Sequence, residues 1–131
     1  MPDVDFDKRD QYDRIAPLVI PGETLLAVYD MKGGGTGFIG ITDLRLIFLD
    51  ESFVRKSKAL VTVPFTKITA VAVEDTGRHI NPFAANGKLI LIAGSHDWEF
   101  EFRSNDKAHR AYGLIMANLL QGEKRGLLRP T

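Results

Sequence analysis

The chain has 131 residues, of which 44% are hydrophobic and 26% are charged, and this length and balance fit one domain with a single core. Its 17 basic residues cancel its 17 acidic residues, so no overall field attracts DNA, RNA or an anionic membrane. Because the chain has no cysteine, disulfides, thiolate zinc sites and cysteine nucleophiles are excluded. We therefore expect no nucleic acid partner and at most a peripheral association with membranes.

Residues 1–21 are predicted to form an N-terminal extension with a short helix. Four apolar residues recur there at loosely helical spacing, namely Phe6, Tyr12, Ile15 and Leu18. Pro17 and Pro21 end this pattern, because proline cannot continue a helix. The first 13 residues carry five aspartates, the opposite of a signal peptide, and no apolar run approaches the roughly 18 residues of a membrane-spanning helix. We expect a cytoplasmic protein.

Seven β-type runs follow, each rich in Val, Ile, Phe or Thr; they are residues 24–30, 36–42, 44–50, 59–63, 68–75, 88–93 and 97–103. The second and third runs meet at Thr42-Asp43 with no room for a helix between them, which predicts a hairpin. Asn86-Gly87 opens the sixth run, and the turn 94–97 joins the sixth run to the seventh.

The seventh run alternates between an aromatic face and a charged face, formed by Trp98, Phe100 and Phe102 and by Glu99, Glu101 and Arg103. This pattern predicts that the aromatic face is core and the charged face is solvated. The third run has apolar residues on both faces, so we expect both of its faces to be covered.

A helical period replaces the strand period over residues 105–121. Its apolar stripe consists of Ala108, Ala111, Tyr112, Ile115, Leu119 and Leu120. Ser104 or Asp106 can cap the start of this helix, and Gly122 is predicted to end it. The remaining residues, 123–131, include Lys124, Arg125 and Arg129 and are predicted to be a frayed basic tail.

Three short motifs carry a family resemblance: Gly22-Glu23, the run Thr42-Asp43-Leu44-Arg45-Leu46-Ile47-Phe48, and the apolar segment 63–71. Their order resembles the bacterial pleckstrin-homology-like (PH-like) domains over roughly residues 22–122. The resemblance implies a mainly β fold, a PH-like split barrel of about seven antiparallel strands in two near-orthogonal sheets, capped by one C-terminal helix. Seven short strands followed by one amphipathic helix independently predict a curved antiparallel sheet system that the helix closes.

Two motifs that suggest enzyme chemistry stand in the wrong context. Residues 35–40 match the dinucleotide pattern GxGxxG, but Phe38-Ile39-Gly40 leads into a strand and not into the helix that a pyrophosphate needs. Ser95-His96-Asp97 has the residue types of a hydrolase triad, but three adjacent residues cannot converge. We therefore expect neither a nucleotide cofactor nor a catalytic triad.

Other polar residues favour a structural interpretation. The histidines, at positions 79, 96 and 109, have no partners at metal-ligand spacing, so no metal is expected. Glu99 and Glu101 are about 7 Å apart along one strand face, which suits an acid/base pair, but the pattern is also that of a solvated strand, and we favour the solvated strand.

One basic loop remains as a candidate ligand site. Arg55, Lys56 and Lys58 lie between the third and fourth runs, and Lys32 lies after the first run. In PH domains of eukaryotes, basic residues near the position of Lys32 bind phosphoinositides, whereas here Lys32 is followed by glycines, Thr36 and Phe38. We expect a non-enzymatic binding or assembly module, acting by protein–protein interaction that includes self-association. The alternative is a small anionic ligand or a lipid headgroup, bound near Lys32 and the loop 55–58.

Overall fold

The computed structural model describes residues 3–31, 37–50, 59–76 and 86–128. Within these ranges the strands are β1 (Asp5–Phe6), β2 (Leu25–Asp30), β3 (Phe38–Thr42), β4 (Arg45–Asp50), β5 (Ala59–Pro64), β6 (Ala70–Thr76), β7 (Asn86–Ala93) and β8 (His96–Phe102). The helices are α1 (Arg9–Ile15) and α2 (Asn105–Leu128), and short 3₁₀ turns are found at Ala16–Leu18 and Phe65–Lys67. All seven predicted runs are strands, with ends that differ by a few residues.

The strands form two sheets, one with the order β1-β2-β3-β4-β5 and one with the order β6-β7-β8. Neighbouring strands are antiparallel, except that β1 pairs in parallel with β2. No described strand joins one sheet to the other by hydrogen bonds, so the sheets are not closed into a true barrel. The predicted arrangement of two sheets and a C-terminal helix is confirmed.

The main core lies between the two sheets and α2. Phe48 of β4 packs edge-on against Trp98 and Phe100 of β8, with ring centroids 5.5 Å and 4.8 Å apart. Phe100 and Phe102 are buried and Trp98 is half-buried, so the aromatic face of the seventh run is core, as its alternation predicts. These rings fix the two sheets against each other.

Helix α2 packs closely on β7. Ala108, Ala111 and Ile115 are fully buried. A Cβ atom at Gly87 would lie 2.4 Å from the Cβ atom of Ala108, so only glycine permits this approach of helix and strand. The predicted apolar stripe is confirmed for these three helix residues. The prediction that Leu120 belongs to it is wrong, because the Leu120 side chain is 52% exposed.

A second, smaller apolar cluster covers the opposite face of the five-stranded sheet; its buried members are Ile15, Leu25, Val28, Phe38 and Ile47. Ile15 comes from α1, so the predicted short N-terminal helix is present and docked. Ile47 and Phe48 are both buried although they point to opposite faces of β4. The expectation that both faces of the third run are covered is therefore confirmed.

Three features differ from the sequence prediction. Gly122 does not end α2, which continues to Leu128 through part of the segment that we expected to be frayed. Leu44 precedes β4 and is 51% exposed, because it lies in the hairpin turn. The two-residue strand β1 was not predicted, and its partner β2 lies about 20 residues further along the chain.

Candidate functional site

The residues predicted to bind an anionic ligand cannot be placed. Lys32, Arg55, Lys56 and Lys58 all lie outside the described residues. The described part of the glycine-rich motif, from Gly37 onward, leads directly into β3, and Phe38 and Ile39 are buried. The helix that a dinucleotide site requires is therefore replaced by a strand, as the sequence predicts.

The Ser95-His96-Asp97 segment does not form a catalytic arrangement. His96 opens β8 and its ring stacks on Trp98, with centroids 5.9 Å apart. His96 and Asp97 are successive residues of one strand, so their side chains point to opposite faces. Both are exposed. The segment is a turn and a strand start, as expected.

The acidic face of β8 lies beside a lysine of β7. Lys88 is paired with Glu101 in the strand register, and its ammonium nitrogen lies 3.4 Å from a carboxylate oxygen of Glu99. Glu99 is exposed and Glu101 is half-buried. This arrangement is a cross-strand ion pair on the charged face of β8, the face that the alternation predicts to be solvated. In the described part of the chain, no group of three or more His, Cys, Asp or Glu residues could hold a metal ion.

The most organised polar site connects Glu23 with the β3–β4 turn. The guanidinium of Arg45 donates to both carboxylate oxygens of Glu23, at 2.7 Å and 2.9 Å, and to the backbone oxygen of Leu18 at 2.8 Å. The hydroxyl of Thr42 donates to Glu23 at 2.7 Å, and the backbone N–H of Ile20 donates to the same carboxylate at 3.1 Å. The side chain of Glu23 is fully buried and that of Arg45 is 21% exposed.

This site sets the shape of the hairpin. The Thr42 hydroxyl oxygen accepts from the backbone N–H groups of Leu44 and Arg45, at 3.0 Å and 2.9 Å, which closes the turn. The carboxylate of Asp43 accepts from the backbone N–H of Thr24 at 2.9 Å. The motifs Gly22-Glu23 and Thr42-Asp43-Leu44-Arg45 are thus parts of one structural site. Arg45, a charged residue within the apolar run 44–49, was the one local sequence signal for it.

The electrostatics of Glu23 agree with a structural role. The hydrogen bond from Arg45 lowers the pKa of Glu23 to about 2, although burial acts in the opposite direction. The carboxylate is therefore ionised at neutral pH and fully engaged by donors. A group in this state does not act as an acid or a base, and it has no free lone pair directed at a ligand.

A groove of about 290 Å³ lies where the β3–β4 turn meets the second half of α2. Its walls are mainly apolar and are formed by Leu44, Phe65, Ile68 and Leu119, with Asp43, Thr66 and Asn118 also lining it. The amide nitrogen of Asn118 donates to the backbone oxygen of Leu114 within the helix. The groove therefore lacks the convergent polar groups that orient a small ligand or a reacting group.

The edges of the sheets differ in charge. β1 is short and flanked by Asp3 and Asp7, and β8 carries Asp97, Glu99 and Glu101. Such charges prevent another strand from pairing. In β5, by contrast, the five residues that precede Pro64 are Ala-Leu-Val-Thr-Val, without a charge. No described strand pairs with its outer edge.

The β5 edge also has apolar neighbours. Leu60 is 51% exposed on the outer face of the sheet, and Thr62 on the same face is exposed. Arg45 connects Thr62 to the N-terminal extension, because it donates at 3.5 Å to the Thr62 hydroxyl and at 2.8 Å to the Leu18 backbone oxygen. Ile20, two residues beyond Leu18, is 56% exposed. The charge-free run in β5 was the sequence signal for this surface.

Comparison with known proteins agrees with the fold. A family model described as bacterial PH domain matches residues 22–116. The chain belongs to the bacterial PH domain family. Domains of this family are in general binding modules without catalysis. No curated protein matches the chain.

Two solved structures show the same fold. A pleckstrin homology domain from Shewanella amazonensis SB2B is 21% identical, with a TM-score of 0.51 over 72% of this chain and 82% of that chain. A DUF1696 family protein with a pleckstrin-homology domain, from Shewanella loihica PV-4, is 18% identical, with a TM-score of 0.61 over 88% of this chain and 96% of that chain. In the described part of this bacterial PH domain, no helix is long and apolar enough to cross a membrane.

Proposed function

We propose that this bacterial PH domain is a protein-binding module without enzymatic activity, and that it self-associates through the outer edge of β5. The observation that supports this proposal most directly is the charge-free edge at Ala59–Pro64, with Leu60 exposed beside it. An apolar, unpaired edge strand is a template for strand addition by another chain.

Among the strand edges that no described strand pairs with, the β5 edge combines backbone hydrogen-bonding groups with exposed apolar side chains. β6 also starts without charge, but its outward residues Ala70 and Ala72 are small, and Glu74 follows. At β5, Leu60 presents a larger apolar side chain, and Ile20, near the Arg45 contact of the extension, is exposed as well. Hydrogen bonds along an edge and apolar burial beside it together favour association.

A second copy is the simplest partner for this edge. Two β5 strands related by a twofold axis can pair antiparallel, so that the same surface is used on both chains. Pro64 has no backbone N–H, which limits the added ladder to the preceding residues of β5. The net charge of zero adds little repulsion between copies.

The test compares two sets of lysine substitutions by sedimentation. The variant Leu60→Lys/Thr62→Lys places charge beside the β5 edge, and the matched control Ala70→Lys/Ala72→Lys places the same charge beside the β6 edge. Natural protein and the control are expected to dimerise, and the β5 variant is expected to sediment as a monomer of 14.6 kDa with an unchanged circular dichroism spectrum. A natural protein that stays monomeric up to about 1 mM contradicts the proposal.

The alternative function, binding of a small anion or lipid headgroup near Lys32 and the loop 55–58, stays a prediction, since these residues lie outside the described ranges. A salt-sensitive pull-down on anionic vesicles tests it separately. Binding that is lost in Arg55→Gln/Lys56→Gln/Lys58→Gln, while the oligomeric state is unchanged, would favour the alternative over the β5 edge.

A further inference from the structure

We propose that residues 3–19, here called the strap, are an exchangeable segment. The outer face of β2, β3 and β4 binds the strap of its own chain, and we infer that it can bind the strap of a second copy in the same way. This proposal does not rest on the β5 edge. The strap lies outside the family match at 22–116, but it covers the second apolar cluster of the domain.

The surface that the strap covers, here called the seat, consists of Leu25, Val28, Phe38, Gly40 and Ile47. Ile15 is fully buried against Val28, Phe38 and Ile47. A Cβ atom at Gly40 of β3 would lie 2.8 Å from the Cγ2 atom of Ile15, so the glycine makes the space that Ile15 fills. Without the strap these apolar side chains would form a contiguous exposed patch, and patches of that kind mark protein interaction sites.

The strap also supplies β1, an edge strand of the five-stranded sheet. Asp5 and Phe6 pair in parallel with Ala27 and Val28 of β2, and the backbone N–H of Asp7 donates to the Val28 oxygen at 3.2 Å. A strand on a sheet edge, followed by a helical turn on an apolar face, combines two common modes of peptide recognition. The strap is thus bound as a peptide ligand is bound.

Polar contacts determine the direction and register of the strap. The Tyr29 hydroxyl donates to the Asp5 carboxylate at 2.7 Å, and Arg110 of α2 donates to the same carboxylate at 3.2 Å. Lys107 lies 2.9 Å from the carboxylate of Asp7. These contacts join an acidic strap to basic residues of α2, and a second copy offers the same complementary charges.

Several features show that the strap depends on docking for its structure. Helix α1 has seven residues, and Lys8 at its N-cap makes no side-chain cap hydrogen bond. Isolated helices of this length are unstable in water. The helix therefore takes its stability from packing on the outer face of the sheet, where Ile15 is fully buried.

The connection to the domain provides a hinge. Ile20, Pro21, Gly22 and Glu23 form a turn in which the Glu23 N–H donates to the Ile20 oxygen at 3.0 Å. Gly22 has a φ of 86°, and Pro21 before it gives the residue pattern of a type II turn. Opening this turn redirects the strap and requires no change in the strands and the helix of the matched family region. In the exchanged dimer every contact between strap and seat is re-formed, so only the hinge and the entropy of association differ.

The covalently linked strap has the advantage at low protein concentration. A tethered segment has an effective concentration on the order of millimolar, so exchange requires comparable protein concentrations. Exchange is also expected to be slow, because Ile15 must first leave its buried position. The expected observation is a dimer that forms at high concentration and persists after dilution.

The absence of cysteine from the chain permits a direct test. One variant carries Phe6→Cys in the strap, and a second carries Val28→Cys at the paired position of the seat. Mixed at about 1 mM with a mild oxidant, these chains can form a disulfide only between copies, since neither has two cysteines. The matched control replaces the second variant by Leu44→Cys, which is exposed in the β3–β4 turn.

The covalent dimer is measured by non-reducing denaturing electrophoresis. It is expected to be at least about tenfold more abundant when Phe6→Cys is mixed with Val28→Cys than when it is mixed with Leu44→Cys. Equal yields, or no product, overturn the proposal. Because Val28→Cys alters a buried position, a second pair uses the exposed positions Asp5→Cys and Arg110→Cys with a short bismaleimide. The lack of a cross-linked dimer from this pair as well overturns the proposal independently of any folding defect.

The β5 variant separates exchange from edge association. When Leu60→Lys/Thr62→Lys is added to both chains, the cross-link between positions 6 and 28 is expected to persist at its full yield. Loss of the cross-link in this background would show that the chains met through β5 and would overturn strap exchange. Persistence of the cross-link, together with sedimentation of the natural protein at about 1 mM that Leu60→Lys/Thr62→Lys leaves unchanged, would instead reject the proposed β5 function and leave exchange supported.

Discussion

The two faces of the five-stranded sheet are equally well buried, but different parts of the chain cover them. Phe48 on the inner face is 1% exposed and Ile47 on the outer face is fully buried. The inner face is covered by β6–β8 and α2, which lie largely within the matched family region, whereas the outer face is covered by an extension that precedes it. Burial alone therefore does not distinguish the core of the domain from a surface occupied by its own N-terminal segment.

The ionic contacts within the domain also differ from those that attach the N-terminal extension. The Glu23 side chain is fully buried and Arg45 engages it with two hydrogen bonds. The pair Asp5–Arg110, which helps to attach the extension, has side chains that are 45% and 51% exposed. Exposed pairs contribute little to stability, whereas a buried pair is costly to break. We expect substitutions in the inner core and at the buried pair Glu23–Arg45 to affect global stability more than those at the contacts of the extension.

Phe100→Ala is expected to have the largest effect, a loss of about 3–5 kcal/mol in the free energy of unfolding. Phe100 is 4% exposed and its ring centroid lies 4.8 Å from that of Phe48, so truncation leaves a cavity between the sheets. Urea denaturation, followed by both tryptophan fluorescence and circular dichroism, measures this loss. A loss below about 1 kcal/mol would show that the inner face does not hold the two sheets together.

Glu23→Gln is expected to lower stability at neutral pH by about 2–3 kcal/mol, because Arg45 loses a charged, doubly bonded partner. The pH dependence identifies the cause. The pKa of Glu23 is lowered from 4.5 to about 2 in the folded protein, so its contribution is fully present above about pH 4.5 and is lost as the pH falls toward about 2. The difference in urea midpoint between natural protein and variant should therefore shrink across this range.

Comparison of the natural protein with Glu23→Gln cancels the contribution of the other carboxylates to the pH dependence of stability. The Tyr29 hydroxyl, with smaller effects from Lys107 and Arg110, lowers the pKa of Asp5, but this group is present in both chains and cancels in the difference. A difference in midpoint that is constant from pH 5 to about 2.5 would mean that Glu23→Gln acts through packing and not through the lost charge.

Ile15→Ala is expected to have a smaller global effect, about 2 kcal/mol, because the extension can undock without unfolding of the inner core. Hydrogen exchange should show faster exchange at β1 and α1 and unchanged exchange at β7. Ile20→Ala is the matched control, since Ile20 is 56% exposed, and its effect should stay within about 0.5 kcal/mol. Equal acceleration of hydrogen exchange in β1, α1 and β7 would show that the N-terminal extension and the inner core unfold as one cooperative unit.

The sequence predicted the inner region better than the outer one for physical reasons. The alternation of Trp98, Phe100 and Phe102 is a local pattern, and it directly encodes a half-buried strand. The strand at Asp5–Phe6 has no such pattern, because its structure comes from pairing with distant β2. The contact of Glu23 with Arg45 spans 22 residues, so spacing could not reveal it. Gly122 was expected to end α2, but one glycine costs a helix only about 1 kcal/mol.

The smallest effect is expected for Glu99→Gln, which alters the solvated face of β8, the strand that carries Phe100. Glu99 is exposed, and its 3.4 Å contact with the Lys88 ammonium joins side chains that are 58% and 28% exposed. Solvent screens such a pair, so the free energy of unfolding should change by no more than about 0.5 kcal/mol. Raising the salt concentration to about 1 M should leave the small difference between variant and natural protein near zero. A loss comparable to that of Phe100→Ala would mean that both faces of β8 are covered, as they are in β4, and that a partner or an undescribed segment packs on the outside of the three-stranded sheet.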